Sequence, residues 1–217
     1  MVKKRKRKKR KNPKKKILNK SIMKIDPKII KEIREKTGAG VMEIKKALVK
    51  SSGDEKEVID ILRKSGQKIA AKKQGRGTNQ GLIGSYIHSN ASVAALVLLT
   101  CETDFVSRNQ EFKDLAHDLA MQVAATNPLY LKPEDIPNEV LEKEKEIARE
   151  SLKKEGKPKE IIEKIILGKL NKFYEEVCLM KQPFIKDDKK TVEQLVTEKI
   201  AKLGENIKIK KFVYFSL

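Results

Sequence analysis

The stretch that most constrains the fold of this chain is an unbroken apolar run from Val93 to Leu99. An apolar run without alternating polar residues is typical of a central β-strand that is covered on both faces. Polarity returns abruptly at residues 100–104, where the strand should leave its sheet. The spacing of Ser107 and Gln110 then predicts a capping box, and therefore the start of a helix.

Asp104 and Phe105 fall at the predicted corner between this strand and this helix. A large aromatic side chain beside a carboxylate, held by rigid elements on both sides, suits insertion into a partner protein. The residues alone leave a second interpretation open. In that interpretation, Phe105 covers the end of its own core and Asp104 bonds to the backbone of the turn.

Three short amphipathic helices are predicted ahead of the strand, within residues 23–74. The first starts at Asp26 and Pro27 and ends at Thr37-Gly38, the second carries Val41, Ile44, Ala47 and Leu48 and ends at Ser52-Gly53, and the third starts at Asp54 and stops at Gly66. Beyond it, Gln67 to Lys73 is predicted to extend as a short basic helix. Such helices are unstable singly but can pack into a compact module. The segment Gly38-Ala39-Gly40 is interpreted as a turn between helices rather than a phosphate loop, because no strand precedes it and the GxxxxGK spacing is missing.

The rest of the chain predicts an α+β fold with an antiparallel sheet. Glycines in residues 75–81 predict a flexible linker, and residues 82–217 are predicted to form the core domain. Leu82 to His88 and Val93 to Cys101 predict a strand pair around a tight turn. A helix from Thr191 to Gly204 and a bulged strand from Asn206 to Phe215 are predicted to complete the core.

Residues 138–178 are rich in Lys and Glu with sparse apolar positions. This pattern predicts a projecting hairpin of two helices, joined at Gly156-Lys157-Pro158.

The charge of the chain is concentrated at its N-terminus. The formal net charge is +20, and residues 1–20 contain 13 Lys or Arg and no acid. Residues 1–22 are therefore predicted to be a disordered tail. Such a block binds polyanions, so one alternative is an RNA- or ribosome-associated protein that acts through residues 3–20.

Other functional classes find little support in the sequence. No apolar run reaches the length of a membrane span, and no secretory signal is visible, so a cytoplasmic protein without membrane contact is expected. Cys101 and Cys178 are far apart, which favours free buried thiols over a disulfide or a metal site. No GxSxG, HExxH, Walker or clustered His/Cys pattern is present, so neither an enzyme nor a bound cofactor or metal is expected.

Three stretches in register resemble the bacterial-type elongation factor Ts family, the nucleotide exchange factors of elongation factor Tu. They are IREKTGAGVMEIKKAL from Ile33 to Leu48, ETDFVSRNQEF from Glu102 to Phe112, and GKPKEIIEKIILGKLNKFYEE with the later QPFIKDDKKTV within residues 156–192. The resemblance implies a ubiquitin-associated-like three-helix module, an antiparallel-sheet core and a coiled-coil hairpin. It also implies release of GDP from elongation factor Tu, without covalent chemistry or nucleotide binding by this chain itself.

The resemblance also assigns site residues. Asp104 and Phe105, flanked by Thr103 and Val106, match the segment that inserts near the magnesium site of the partner GTPase. The set expected to contact its G domain consists of Arg34, Gly38, Val41 and Met42. Gln122 stands where many members have His, which puts a partner contact at that position in doubt. Short members resembling this one can form homodimers, and the aromatic-rich final strand is a candidate edge for that contact.

Overall fold

The computed structural model describes residues 26–153 and 159–217. The predicted tail of residues 1–22 and the predicted hairpin turn at Gly156-Lys157-Pro158 lie outside the described residues. The described elements follow in chain order: α1 (Pro27–Thr37), α2 (Val41–Lys50), α3 (Glu55–Lys73), β1 (Gln80–Ile87), β2 (Val93–Cys101), α4 (Asp104–Arg108), α5 (Gln110–Thr126), α6 (Asn138–Lys153), α7 (Lys159–Val177), β3 (Pro183–Phe184), β4 (Asp187–Thr191), α8 (Val192–Leu203) and β5 (Lys208–Ser216).

Local capping chemistry sets the ends of the N-terminal helices. The Asp26 carboxylate accepts a hydrogen bond from the Lys28 N–H at the start of α1, and Gly38 ends α1 with φ of 66°. Asp54 caps α3 in the same way. The apolar faces of the three helices share one buried cluster, formed by Ile30, Ile33, Ile44, Ala47, Leu48, Val58 and Leu62. The predicted three-helix arrangement is therefore present.

The prediction that the third helix stops at Gly66 is wrong, because α3 continues to Lys73. A Cβ added at Gly66 would lie 3.4 Å from the Cβ of Ala201 in α8. This is an ordinary contact distance, so the site does not require glycine; the packing of α3 against α8 outweighs the weak local preference of Gly against helix.

The segment predicted as a linker is shorter than residues 75–81, because Gln80 and Gly81 already belong to β1. Its backbone is also bonded to the core. The side-chain Nδ2 of Asn206 donates to the carbonyl oxygens of Gln74 and Arg76, and the buried Thr78 hydroxyl accepts from the Thr100 hydroxyl.

The main sheet is antiparallel with the strand order β1-β2-β5, as the predicted α+β class requires. Lys210 is the extra residue of a bulge, since Leu98 pairs with Lys211 whereas Leu99 pairs with Ile209. The bulge predicted for the last strand is therefore present. Residues of α5 and α8 pack on one face of this sheet and form the main core. A small second sheet of β3 and β4 was not predicted.

The prediction that β2 is covered on both faces is wrong. Ala95, Val97 and Leu99 are buried against the helices, whereas Leu96 is 40% exposed and Leu98 is 38% exposed. Because successive strand residues point to opposite faces, this pattern leaves one apolar face of the sheet open. The continuous apolar run reflects that open face rather than a second covering layer.

Helices α6 and α7 pack against each other as the predicted hairpin. Ala148, Leu152, Ile166 and Leu170 form a separate small buried cluster between them. Within the described residues, no helix combines the length and the apolar character needed to cross a membrane.

Candidate partner-binding site

The strand-to-helix corner contains a short helix rather than a simple turn. Asp104 and Phe105, called the prong below, lie in the first turn of α4, a helix of five residues. The predicted capping box of Ser107 and Gln110 is wrong. Asn109 caps α5 instead, its side-chain oxygen accepting from the Glu111 N–H at 2.8 Å. The Ser107 hydroxyl donates to the carbonyl oxygen of Asp104, so it is engaged within α4.

The prong points into solvent. Phe105 is 83% exposed, so the interpretation in which its ring covers the core of the chain is wrong. The neighbouring Val106 is half-buried and packs against the main core. The Asp104 carboxylate forms an ion pair with Arg108 at 3.0 Å on the same exposed turn. An exposed aromatic ring beside a carboxylate is chemically suited to bury itself in a partner.

A distant glutamate holds the residues that precede the prong. Glu205 accepts hydrogen bonds from the backbone N–H groups of Glu102 and Thr103, and from the Thr103 hydroxyl. Sequence reasoning missed this contact. Glu205 follows the predicted stop of α8 at Gly204, and nothing in the local pattern indicates which turn it would reach.

The Glu102 side chain adds further contacts to this turn. Its carboxylate accepts from the Asn206 N–H at 2.7 Å and forms an ion pair with Arg76 at 3.3 Å. The Asn206 N–H is the main cause that lowers the pKa of Glu102; the opposing effect of burial is smaller, and the Arg76 guanidinium lowers the pKa further. Glu102 is therefore held ionised at neutral pH.

Both cysteines are buried as free thiols, and Cys101 directly precedes the turn that leads to the prong. The Cys101 S–H donates to the carbonyl oxygen of Thr103, and burial raises the pKa of Cys101 to about 11. Burial likewise raises the pKa of Cys178 to about 11. In the part of the chain that the structure describes, no group of three or more His, Cys, Asp or Glu side chains is placed to hold a metal ion.

A groove of about 570 Å³ joins the N-terminal helices to the region of the prong. Its walls include residues of α1, of the α4–α5 junction and of the end of α8: Lys31, Arg34, Glu35, Gly38, Asn109, Glu111, Lys202 and Leu203. Two of the predicted contact residues, Arg34 and Gly38, are thus brought to the same groove as Asn109, which directly follows α4.

Lys202 lines this groove between Gly38 and Glu111. A Cβ at Gly38 would lie 2.5 Å from Cδ of Lys202, and the Lys202 ammonium group is 2.7 Å from the carboxylate of Glu111. Burial acts to raise the pKa of Glu111, but the hydrogen bonds from Lys202 and Lys199 outweigh it and lower that pKa. Val41 and Met42 lie just beyond Gly38, at the start of α2. The Met42 side chain is exposed, whereas Val41 is half-buried.

Gln122 lies in the core rather than on the surface. Its side chain is fully buried, its Nε2 donates to Gln182 and to the carbonyl of Pro183, and its Oε1 accepts from the Ile185 N–H. All of its polar atoms are engaged, so in this conformation Gln122 presents no surface to a partner and instead ties α5 to the segment around β3.

The family model and the most similar relatives point to the same family. The model of the family described as elongation factor TS matches residues 18–217. A protein of Thermosipho melanesiensis named elongation factor Ts is 54% identical over 193 residues, covering 89% of this chain and 98% of that relative. Relatives with the same name from Maridesulfovibrio salexigens and Thermodesulfovibrio yellowstonii are 53% and 54% identical over 195 residues, covering 90% of this chain and 95% and 97% of their own lengths.

Proposed function

The chain belongs to the elongation factor Ts family of translation elongation factors, and from this premise we propose that it binds GDP-bound elongation factor Tu and promotes release of GDP. GTP then rebinds to the vacated site. The observation that carries the proposal is the exposure of the prong: Phe105 is 83% exposed, and the two residues before the prong are bonded to Glu205 and Asn206. The ring has no partner within the main core, so its apolar surface remains available to a second protein.

The exchange works by linkage rather than by covalent chemistry. If the factor and GDP each favour a different form of the GTPase, each weakens the binding of the other by the same free energy. The prong inserts near the magnesium site of the partner, where the carboxylate of Asp104 brings negative charge and Phe105 brings apolar surface. Thr103 and Val106 support the prong, the first through Glu205 and the second through packing on the core.

One side chain does not supply the whole interface energy. Burying a Phe ring is worth about 1.5 to 3 kcal/mol, and about 1.4 kcal/mol changes an equilibrium tenfold. The N-terminal helices supply further contacts through Arg34, Gly38, Val41 and Met42. Because Arg34 and Gly38 line the groove that leads to the α4–α5 junction, a single surface of the partner can reach them and the prong together.

The proposal is tested by the release of a fluorescent GDP analogue from elongation factor Tu, with and without the chain. The variant Asp104→Ala/Phe105→Ala should lose most of the stimulation while keeping its circular dichroism spectrum. Leu129→Ala removes an apolar side chain that is 66% exposed on another part of the surface, and this variant should stimulate release as the parent chain does. Stimulation by the prong variant equal to that of the parent would refute the proposed role of the prong.

The open face of the main sheet supports formation of a homodimer. The large apolar residues on this face are exposed by 38 to 68%: Ile83, Ile87, Leu96, Leu98 and Phe215. β5 is an edge strand, so the predicted contact through this edge would pair β5 of one copy with β5 of another. The exposed apolar side chains instead favour packing of the two sheets face to face. Two copies of this chain then cover each other's apolar face.

Light scattering during size-exclusion chromatography tests this dimer. Leu98→Glu should give a monomer at concentrations where the parent chain is dimeric. Leu167→Glu places the same charge on an exposed apolar position of the hairpin and should leave the mass unchanged. A monomeric parent chain at micromolar concentration would contradict the dimer but would leave the exchange function untouched.

Residues 3–20 supply an additional contact with RNA or the ribosome. The family match begins at residue 18, and the basic block ahead of it is dense enough to release counterions from a phosphate backbone. The comparisons do not favour RNA binding as the main activity. Removal of residues 1–22 should leave GDP release intact and abolish salt-sensitive retention on single-stranded RNA, and retention unchanged by the truncation would contradict this contact.

A further inference from the structure

One carboxylate anchors the turn from which the prong projects. Oε2 of Glu205 accepts from the backbone N–H groups of Glu102, at 3.1 Å, and of Thr103, at 3.0 Å. Its Oε1 accepts from the Thr103 hydroxyl at 2.6 Å. Hydrogen bonds to an ionised acceptor are about twice as strong as bonds between neutral groups. Three donors from two consecutive residues thus converge on one side chain that follows α8.

The same region of the chain reaches the N-terminal helices. Asn206 is buried, its N–H donates to Glu102, and its side-chain amide donates to the carbonyl oxygens of Gln74, at 3.3 Å, and Arg76, at 2.8 Å. Lys73, the last residue of α3, donates to the carbonyl oxygen of Gly204. Residues 204–206 therefore join the turn before the prong to the segment that follows α3.

The Phe105 ring of the prong packs on little of the chain. Phe105 is 83% exposed, and α4 has only five residues, which is too short for a helix to be stable alone. Thr103 is the N-cap of α4, yet its side chain makes no capping bond, because its hydroxyl donates to Glu205. The direction in which Phe105 projects is therefore set by where the backbone of residues 102–103 is held ahead of the prong, together with the packing of Val106 after it.

We propose that Glu205 is a positioning residue for nucleotide exchange, which acts through Thr103 to hold the prong in the orientation that the partner receives. This inference rests on the proposed function, since it applies only if the prong drives GDP release. Glu205 itself contacts neither the nucleotide nor the partner. When its carboxylate is removed, the prong samples several orientations, and the binding energy of the partner must then restore the productive one.

A double-mutant cycle on GDP release from elongation factor Tu tests the inference. The four chains are the parent, Glu205→Ala, Asp104→Ala/Phe105→Ala, and the triple variant. Glu205→Ala should slow stimulated release about tenfold in the parent background, as a misplaced reacting group does. In the prong-deleted background it should change the rate less than about twofold, because residues that act through one another are not additive.

Glu198→Ala is the matched control. It removes a carboxylate from α8, the helix that precedes Glu205, where Glu198 forms a surface ion pair with Lys190 at 3.2 Å, and it should leave the rate unchanged. If Glu205→Ala does not give the folded circular dichroism spectrum, Glu205→Asp replaces it in the cycle. The shorter side chain keeps the charge but withdraws it from the three donors, and the same non-additivity is expected.

The outcomes are distinguishable. Equal slowing in the parent and prong-deleted backgrounds would overturn the inference, because Glu205 would then act on the fold and not through the prong. An unchanged rate for a folded Glu205→Ala would overturn it as well. If instead deletion of the prong leaves the rate of the parent unchanged, the proposed function of the prong fails, whatever Glu205 does.

Discussion

Truncation of Phe105 to alanine separates binding from folding, because the ring contributes almost nothing to the free chain. Full burial of a Phe side chain is worth about 1.5 to 3 kcal/mol. Since the ring is 83% exposed in the free chain, about 1.2 to 2.5 kcal/mol remains to be gained at an interface that covers it. That energy corresponds to a change of about 8- to 70-fold in a dissociation constant.

Titration calorimetry with nucleotide-free elongation factor Tu measures this change directly. The Kd of Phe105→Ala should exceed that of the parent chain by about 8- to 70-fold, while the free energy of unfolding changes by less than about 0.5 kcal/mol, as for most surface positions. Leu129→Ala, another exposed apolar truncation, should leave the Kd unchanged. A Kd within twofold of the parent, or a large loss of stability, would refute the assignment of the ring to an interface.

Three further predictions concern the scaffold. Gly66→Ala should raise the free energy of unfolding by about 0.5 to 1 kcal/mol in urea titrations, because alanine favours helix and its Cβ meets α8 at an ordinary contact distance; a decrease would contradict the packing described here. Cys101 and Cys178 should resist Ellman's reagent at pH 8 until the chain unfolds, since burial raises both pKa values to about 11; rapid reaction of the folded chain would contradict it. Glu102→Gln should flatten the dependence of stability on pH at the acid end. The lowered pKa of Glu102 stabilises the fold above the unfolded pKa and is lost as pH falls through the folded value; an unchanged acid slope in melting experiments would contradict this.

Local chemistry made much of the fold predictable. Asp26 and Asp54 begin helices and Gly38 and Gly204 end them, because a capping side chain or a glycine with positive φ acts within a few residues. The prong was also predictable as a pair of residues, since the change from apolar run to polar corner is local. The family of the chain was predicted from sequence resemblance, and the comparisons support that family over most of the chain.

The features that the sequence did not predict depend on contacts between distant parts of the chain. Gly66 predicts a helix end locally, but α3 packs against α8 and continues to Lys73. The apolar run of β2 does not reveal whether one or both sheet faces are covered, because that depends on how many layers the fold has. The bond from Thr103 to Glu205 joins residues 102 positions apart, and no periodicity or spacing signals it. The resemblance to the family concerns Gln122 as a position that contacts the partner, yet its side chain is buried in the core.

The central claim is that the chain and GDP oppose each other on elongation factor Tu, and the most direct test measures each affinity in the presence and absence of the other ligand. GDP should raise the Kd of the chain for elongation factor Tu by about 5- to 150-fold, the usual range of such coupling, and the chain should raise the Kd of GDP by the same factor. The variant Asp104→Ala/Phe105→Ala should bring both ratios close to one. If GDP leaves the Kd of the parent chain unchanged, the two ligands are not coupled and the account is contradicted.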